Sequence, residues 1–396
     1  MTTPPETMTT AASVTLVRAD SLLWLPTLPA DSVDAVVTDP PYALSFQGKE
    51  WDTHGSAHDF QAWCEKWGAE CLRVLKPGSH LVAMGSTRTH HRLTCGLEDA
   101  GFEIRDEHAW VHSQGFPKSL DVSKAIDKAA GAKRRVVGSV RTNTGMRGGN
   151  FGAGSKTAEV PVTAPATSEA AEWAGWSTAL KPSHEPIVLA RKPLVGTLAE
   201  NVLRYRTGAL NVDACRIAAI DAFGGGAKGT SGFAKGYEHN GWTPGNSVGR
   251  WPANVVLDEE AAALLDQVAS VKGGASRFFY VAKASKRDRG EGNTHPTVKP
   301  QALMRWLLRL VVPPGGLVLD PFCGSGTTLL ACADEGFSGI GIEREPSYFA
   351  IAVRRLGLDG FDGEARTEDL GELRPDDTVF GDGEDWDKSL MAGVSR

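Results

Sequence analysis

The 396-residue chain is 41% apolar, with 42 basic and 48 acidic side chains and a formal net charge of −6. That length holds one large domain with insertions or two to three domains, and the apolar share suffices for a proper core. No apolar run approaches a membrane span, the start MTTPPETMTTAAS lacks the basic-then-apolar layout of a signal peptide, and the six cysteines include no C-x-x-C pair. They read as reduced thiols of a cytoplasmic protein, not as a disulfide framework or zinc knuckle. His54 and His58 are spaced to share a helix face but lack a third ligand, so they read as surface residues and no metal site is expected.

The net charge divides unevenly. Residues 359–396 carry 12 acidic and 4 basic side chains, which leaves residues 1–358 with 38 basic and 36 acidic. Within them, Lys118 to Arg147 holds 8 basic residues against 2 acidic. A local patch bears on partners, whereas whole-chain charge bears on solubility. The patch suits DNA contact, with a solvated helix face as the plain alternative.

In chain order, VTLVR (14–18) and VDAVVTD (33–39) are short β-branched runs. Phe60, Trp63, Cys64, Trp67, Cys71, Leu72 and Leu75 then recur at helical spacing. HLVAMG (80–85) predicts a strand, a helix follows to Ala100, and FEIRDEHAWV (102–111) predicts another strand. Residues 139–180 are rich in Gly, Ala, Ser, Thr and Pro, and residues 221–250 hold nine glycines; such stretches rarely pack tightly. HEPIVLAR (184–191) is an ordered island between them. Strand–helix alternation resumes from Gln301 to Leu356, and the acidic remainder reads as a disordered tail. Alternation of this kind predicts an α/β fold with a mostly parallel sheet.

Two stretches carry chemistry. VVTDPPYAL (36–44) ends an apolar strand on Asp39 and stiffens the next turn with Pro40 and Pro41, whose φ angles are nearly fixed, ahead of Tyr42. VLDPFCGSGTTLL (318–330) sets Gly324 and Gly326 between a strand and a helix, where backbone can approach a ligand closely. No Lys follows the last glycine, so this is not a Walker A loop, and it is not G-x-S-x-G. One strand later, GIGIE places Glu343 where an acid can accept hydrogen bonds from ribose hydroxyls. Loop plus acid suggests a nucleoside-containing cofactor; a structural turn with a surface Glu is the alternative.

TDPPY together with DPFCGSGTT resembles the paired signatures of the S-adenosylmethionine-dependent DNA amino-methyltransferases (the N6-adenine/N4-cytosine family). With the base motif N-terminal and the cofactor motif C-terminal, the order is similar to the permuted beta class. THPTVKPQALM (294–304), RADSLLWLPTLPADSVDAVVTDPPY and HEPIVLAR resemble further segments of that class. GFPKSLDVSKAIDKAAGA and GRWPANVVLDEEAA resemble phage and prophage DNA methylases. The resemblance implies a Rossmann-like, seven-stranded, doubly wound and circularly permuted core with insertions. It implies S-adenosylmethionine as cofactor and double-stranded DNA as partner. Asp39 and the Pro40 carbonyl would accept the amine hydrogens, Pro41 would keep the register, and Tyr42 would stack on a flipped base. Phe322, Gly324 and Gly326 would flank the cofactor's methionine portion with Asp320 nearby, Glu343 would take the ribose and Asp20 the adenine amine. His295, Thr297 and Lys299 would lie toward the carboxylate end, a surface lysine being the alternative for Lys299. The His-Glu pair of HEPIVLAR would lie near the target pocket.

On this reading 14–118 is the first part of the core, 119–179 a flexible basic insertion, 180–193 a core strand, 194–293 the target-recognition region, 294–358 the second part of the core and 359–396 the tail. Arg134, Arg135, Arg141, Arg147, Arg204, Arg206 and Arg250, with Trp173, Trp176, Trp242 and Trp251, are the candidates for DNA contact. In the family this chain resembles, Asp at the first motif position goes more often with adenine N6 than with cytosine N4, and no cysteine sits where cytosine-C5 chemistry needs one. An RNA amino-methyltransferase and a catalytically inactive DNA-binding module are the remaining readings. The resemblance allows a homodimer and a cognate restriction nuclease without fixing either.

Overall fold

A computed structural model describes residues 14–45, 48–113, 119–143, 157–217, 249–269, 274–282, 288, 293–295 and 297–358. The acidic tail, Lys118, Arg147 and Trp242 lie outside the described residues.

The strands are β1 (Val14–Arg18), β2 (Val33–Thr38), β3 (Leu75–Met84), β4 (Glu103–Val111), β5 (Arg135–Asn143), β6 (Thr157–Ala164), β7 (His184–Arg191), β8 (Val255–Asp258), β9 (Tyr280–Ala282), β10 (Leu317–Asp320) and β11 (Ser338–Glu343). Nine of them form one sheet in the order β1-β11-β10-β2-β3-β7-β4-β8-β9. Every neighbouring pair is parallel except those of β7, which runs antiparallel to both β3 and β4. The expected doubly wound α/β sheet is therefore present, but with nine strands where seven were expected. The surplus pair, β8 and β9, extends the β4 edge in runs of 4 and 3 residues, too short to announce a period of two.

Alternation along the central strands sends side chains to two cores. Ala35, Val37, Val82, Met84, Ile187 and Leu189 join the helix Gln301–Val311 on one face. Val33, Val36, Leu81, Ala83, Val188 and Ala190 join the helix Ala57–Val74 on the other. The latter helix starts on a capping box, Ser56 and Asp59 each satisfying the other's backbone N–H. Of the predicted stripe it buries Phe60, Cys64, Trp67 and Cys71, with Val74 added; Trp63 and Leu72 are half-buried and Leu75 opens β3.

The insertion after β4 departs from expectation. Its glycine- and alanine-rich composition predicts loose chain, yet β5 and β6 pair antiparallel as a separate two-stranded sheet. Asp127, fully buried, ties that hairpin to the helix Val122–Ala129: its carboxylate accepts from Arg134 Nη1 at 2.6 Å, Ala166 N at 3.0 Å and Thr167 Oγ1 at 2.9 Å. Arg134 is thus engaged internally and leaves the set of candidate DNA contacts. Arg141 stays exposed, and Trp173 and Trp176, 5.1 Å apart and edge to face, are exposed beside the hairpin.

Candidate active site

The central strands present a row of acids along one edge of the sheet. Asp20 follows β1, Glu343 ends β11, Asp320 ends β10 and Asp39 follows β2; Glu185 opens the antiparallel β7 and so reaches the same edge. Adjacent β10 and β2 bring the two sequence motifs together across 282 positions, and Thr38 Oγ1 donates to Asp320 Oδ1 at 2.7 Å. Ligands of open α/β sheets bind outside the carboxyl ends of strands where the order reverses, and this is such a point.

A crevice of about 380 Å³ opens there. Asp39, Pro40, Pro41 and Tyr42 line it together with Asp20, His295, Thr297, Lys299, Asp320, Phe322, Gly324 and Glu343. Gly326 does not line it: in left-handed conformation (φ 79°) it caps the helix Thr327–Glu335 and packs against Ala352, so its part is to turn the loop. Gly324 is the close-approach position. With φ at +52°, any Cβ there would meet His295 Nε2 at 2.9 Å, on the crevice wall. Phe322 forms the floor, 5.3 Å from Trp63 and 5.4 Å from Trp67 between ring centroids.

Burial pushes the Asp320 carboxyl up to about 6, against the pull of its Thr328 and Thr38 hydrogen bonds. Burial likewise pushes Glu343 up to about 7, although the Glu345 and Gly324 backbone N–H groups favour its ionised form; Asp320 raises it further. Asp20 caps a short helix through Leu22 N at 2.9 Å, and its other oxygen lies 3.5 Å from Arg344 Nη1. Asp20 is therefore part-engaged before any ligand arrives.

The sequence signature of a DNA methylase family, N6_N4_Mtase, matches residues 33–354, from the strand that carries Asp39 to the helix behind Glu343. The chain belongs to that family. It is 24% identical over 381 residues to the type II methyltransferase M.HindIII of Haemophilus influenzae, covering 86% of this methylase and 94% of that protein. It is also 24% identical over 353 residues to M.HpaI of Haemophilus parainfluenzae, covering 88% and 76%. Among solved structures it is similar to M1.HpyAVI in complex with SAM, with a TM-score of 0.41 at 18% identity over 87% of this chain and all of that one.

Two features of the methylase site escape sequence reasoning. The first is Lys299, assigned to the cofactor's carboxylate end or to the surface. It is 7% exposed, and its Nζ lies 2.5 Å from Asp39 Oδ2 and 3.3 Å from Glu185 Oε2. Burial alone would lower its pKa, but the two carboxylates raise it, so the ammonium persists. The residue belongs beside the Asp-Pro-Pro-Tyr turn. Tyr42 Oη completes the cluster, 2.6 Å from Asp39 Oδ1 and 2.9 Å from Glu185 Oε2.

The second is Asp52, fully buried, whose Oδ1 accepts from Tyr42 N at 2.8 Å and whose Oδ2 accepts from Leu44 N at 3.1 Å. Its carbonyl accepts from Ser45 N, and Ala43 and Ser45 hold positive φ within this grip. Trp51 beside it meets Tyr348 edge to face at 6.4 Å across the crevice, and His54, expected at the surface, packs on Trp63 at 4.3 Å. Asp52→Ala orphans two backbone N–H groups at about 1 kcal/mol or more each. The expected result is a melting temperature lower by roughly a few degrees and slower methyl transfer. An unchanged melt with full activity would show that the turn holds itself.

Among the described residues no group of three or more His, Cys, Asp or Glu side chains could hold a metal, and no helix is long and apolar enough to cross a membrane.

Proposed function

We propose that this DNA methylase transfers the methyl group of S-adenosylmethionine to the N6 amine of an adenine flipped out of duplex DNA. The observation that carries the reading is the shared crevice: the Asp39–Tyr42 turn faces the same space as Phe322, Gly324 and Glu343. Its volume suits a nucleoside-sized ligand. The absent Cβ at Gly324 lets the His295 ring close on the loop at the crevice wall, and the buried Glu343 carboxyl, which lines the crevice, would accept from ribose hydroxyls. The bound donor would supply an electrophilic sulfonium methyl.

The chain's own residues do the rest. An exocyclic amine is a poor nucleophile because its lone pair is delocalised into the ring. Asp39 and the Pro40 carbonyl would each accept one N–H, favouring a more tetrahedral nitrogen with its lone pair free for attack. Asp39 would also stabilise the positive charge that grows on nitrogen. Tyr42 would stack on the flipped base, returning about 1–3 kcal/mol toward the few spent on extrusion.

The test is to incubate the protein with methyl-labelled donor and, in separate reactions, unmethylated genomic DNA and RNA, then digest each to nucleosides. Label in N6-methyl-2′-deoxyadenosine is expected. Label in N4-methylcytosine would overturn the adenine assignment, and label in RNA alone would overturn the DNA one.

Arg135, Arg141, Arg204, Arg206 and Arg250, with the exposed Trp173, Trp176 and Trp251, are proposed to face DNA. Trp251 is 68% exposed with the Arg216 guanidinium 5.3 Å from its ring, and Arg135 and Arg141 stand on the hairpin strand β5. Affinity for DNA should fall by about tenfold or more between 50 and 200 mM salt. A flat salt response would remove these side chains from the DNA contact.

A further inference from the structure

Tyr42, Asp39, Lys299 and Glu185 form a closed cluster whose composition exceeds what stacking and hydrogen-bond acceptance require. A ring that only stacked would need no hydroxyl, yet Tyr42 Oη sits between two carboxylates at 2.6 and 2.9 Å. Burial, then the charges of Asp39 and Glu185, push the Tyr42 pKa well above 10, so the bridging proton stays in place at working pH. Lys299 offsets one of the two carboxylates, leaving the ionised cluster one negative charge. Without Glu185 the lysine would cancel Asp39, and nothing would answer the positive charge that methyl transfer creates.

We propose that Glu185 is the second acid of the reaction, receiving through the Tyr42 hydroxyl the proton that the methylated amine releases. This rests on the amine methylation proposed above. In the transfer the nitrogen lone pair forms the N–C bond, and the electron pair of the broken C–S bond stays with the donor's sulfur. As the N–C bond forms the nitrogen holds one proton too many, and that proton leaves in the same step. Its N–H bond breaks, the electron pair returns to nitrogen and the ring, and Asp39 takes the proton. Asp39 passes a proton to Tyr42 Oη as the tyrosine's own proton moves to Glu185 Oε2. Tyr42 ends unchanged, Asp39 is again a carboxylate, and Glu185 is the carboxylic acid.

Beyond Glu185 lies His112, just after β4, with Nε2 3.9 Å from the other Glu185 oxygen, past direct hydrogen-bond reach, and burial lowers its pKa. The ionisable groups facing this end of the cluster are Tyr42, Asp39 and Lys299 on the inner side, with His112, His184 and Asp258 on the outer.

The experiment compares Tyr42→Phe, which keeps the stacking ring, Glu185→Gln and the double variant with the full-length parent protein. Single-turnover methylation, DNA affinity and extrusion of a 2-aminopurine placed at the target base are measured, the last two without donor. Each single variant should lose on the order of 10²-fold in single-turnover rate, with affinity and fluorescence as in the parent. The double variant should lose no more than the worse single one, because both cut the same path. Losses that multiply, a parental rate in either single variant, or parallel loss of base extrusion would overturn the relay. A parent protein that methylates no DNA would instead overturn the function on which it rests.

Discussion

Asp39→Ala should lower the rate of methyl transfer on the order of 10³-fold or more while leaving cofactor affinity nearly unchanged. The substitution removes one acceptor for the amine and the carboxylate nearest the developing charge, so its effect falls on the transition state. It touches little that holds the fold. Lys299, buried at 7% exposure, would lose its 2.5 Å partner but keep Glu185 at 3.3 Å, and Tyr42 Oη would still reach Glu185 at 2.9 Å. Breaking a buried ion pair is damaging when a charge is left alone, and here none is. Single-turnover rates, equilibrium binding of the cofactor and a thermal melt separate the outcomes. Equal loss of transfer and cofactor binding would assign Asp39 a structural part. Asp39→Asn keeps an acceptor oxygen but not the charge, so it should fall between the parent and the alanine variant.

The parts of this site legible in the sequence are those set by local grammar. Two prolines after an apolar strand and two glycines between a strand and a helix announce turns whatever surrounds them, and both lie where expected. The His-Glu start of β7 was legible too, and Glu185 reaches the Tyr42 hydroxyl. What stayed hidden depends on meeting across the fold. Lys299 precedes a proline like many surface lysines, and only the packing of its segment against β2 and β7 brings it to carboxylates 260 and 114 positions away. Asp52 lies in an irregular stretch with no period to mark it, so its grip on Tyr42 N appears only in space. The β5–β6 hairpin was lost for the opposite reason. Gly, Ala and Ser dominate the composition of that region, while Val136, Val140, Val160 and Val162, which favour strands, are spread thinly enough that only their pairing reveals them.

Glu343 should give the methylase a pH-dependent cofactor affinity. Ribose hydroxyls donate best to an ionised carboxylate, but burial sets the Glu343 pKa at about 7 against an ordinary value of 4.5. In the free protein at pH 6 only about a tenth of the molecules would hold the ionised form, against about nine-tenths at pH 8. S-adenosylmethionine should therefore bind about tenfold more weakly at pH 6 than at pH 8, with proton release on binding in the acidic range. Glu343→Gln should flatten this dependence and weaken binding at pH 8 by about 10- to 100-fold, since hydrogen bonds to a charged group contribute about 1.5–3 kcal/mol. DNA affinity without cofactor should change far less. Stability moves the other way. A carboxyl whose folded pKa is raised holds an extra proton in the native state, so the free protein loses stability as pH rises from about 4.5 through about 7. Asp320, raised to about 6, adds a loss of the same sign. Glu343→Gln removes the first of these, so at pH 8 the variant should melt higher than the parent while binding cofactor worse. Isothermal titration at both pH values and melts of both proteins read the two effects. A cofactor affinity that ignores pH, or a variant that loses stability and affinity together, would place Glu343 in the fold and not at the ribose.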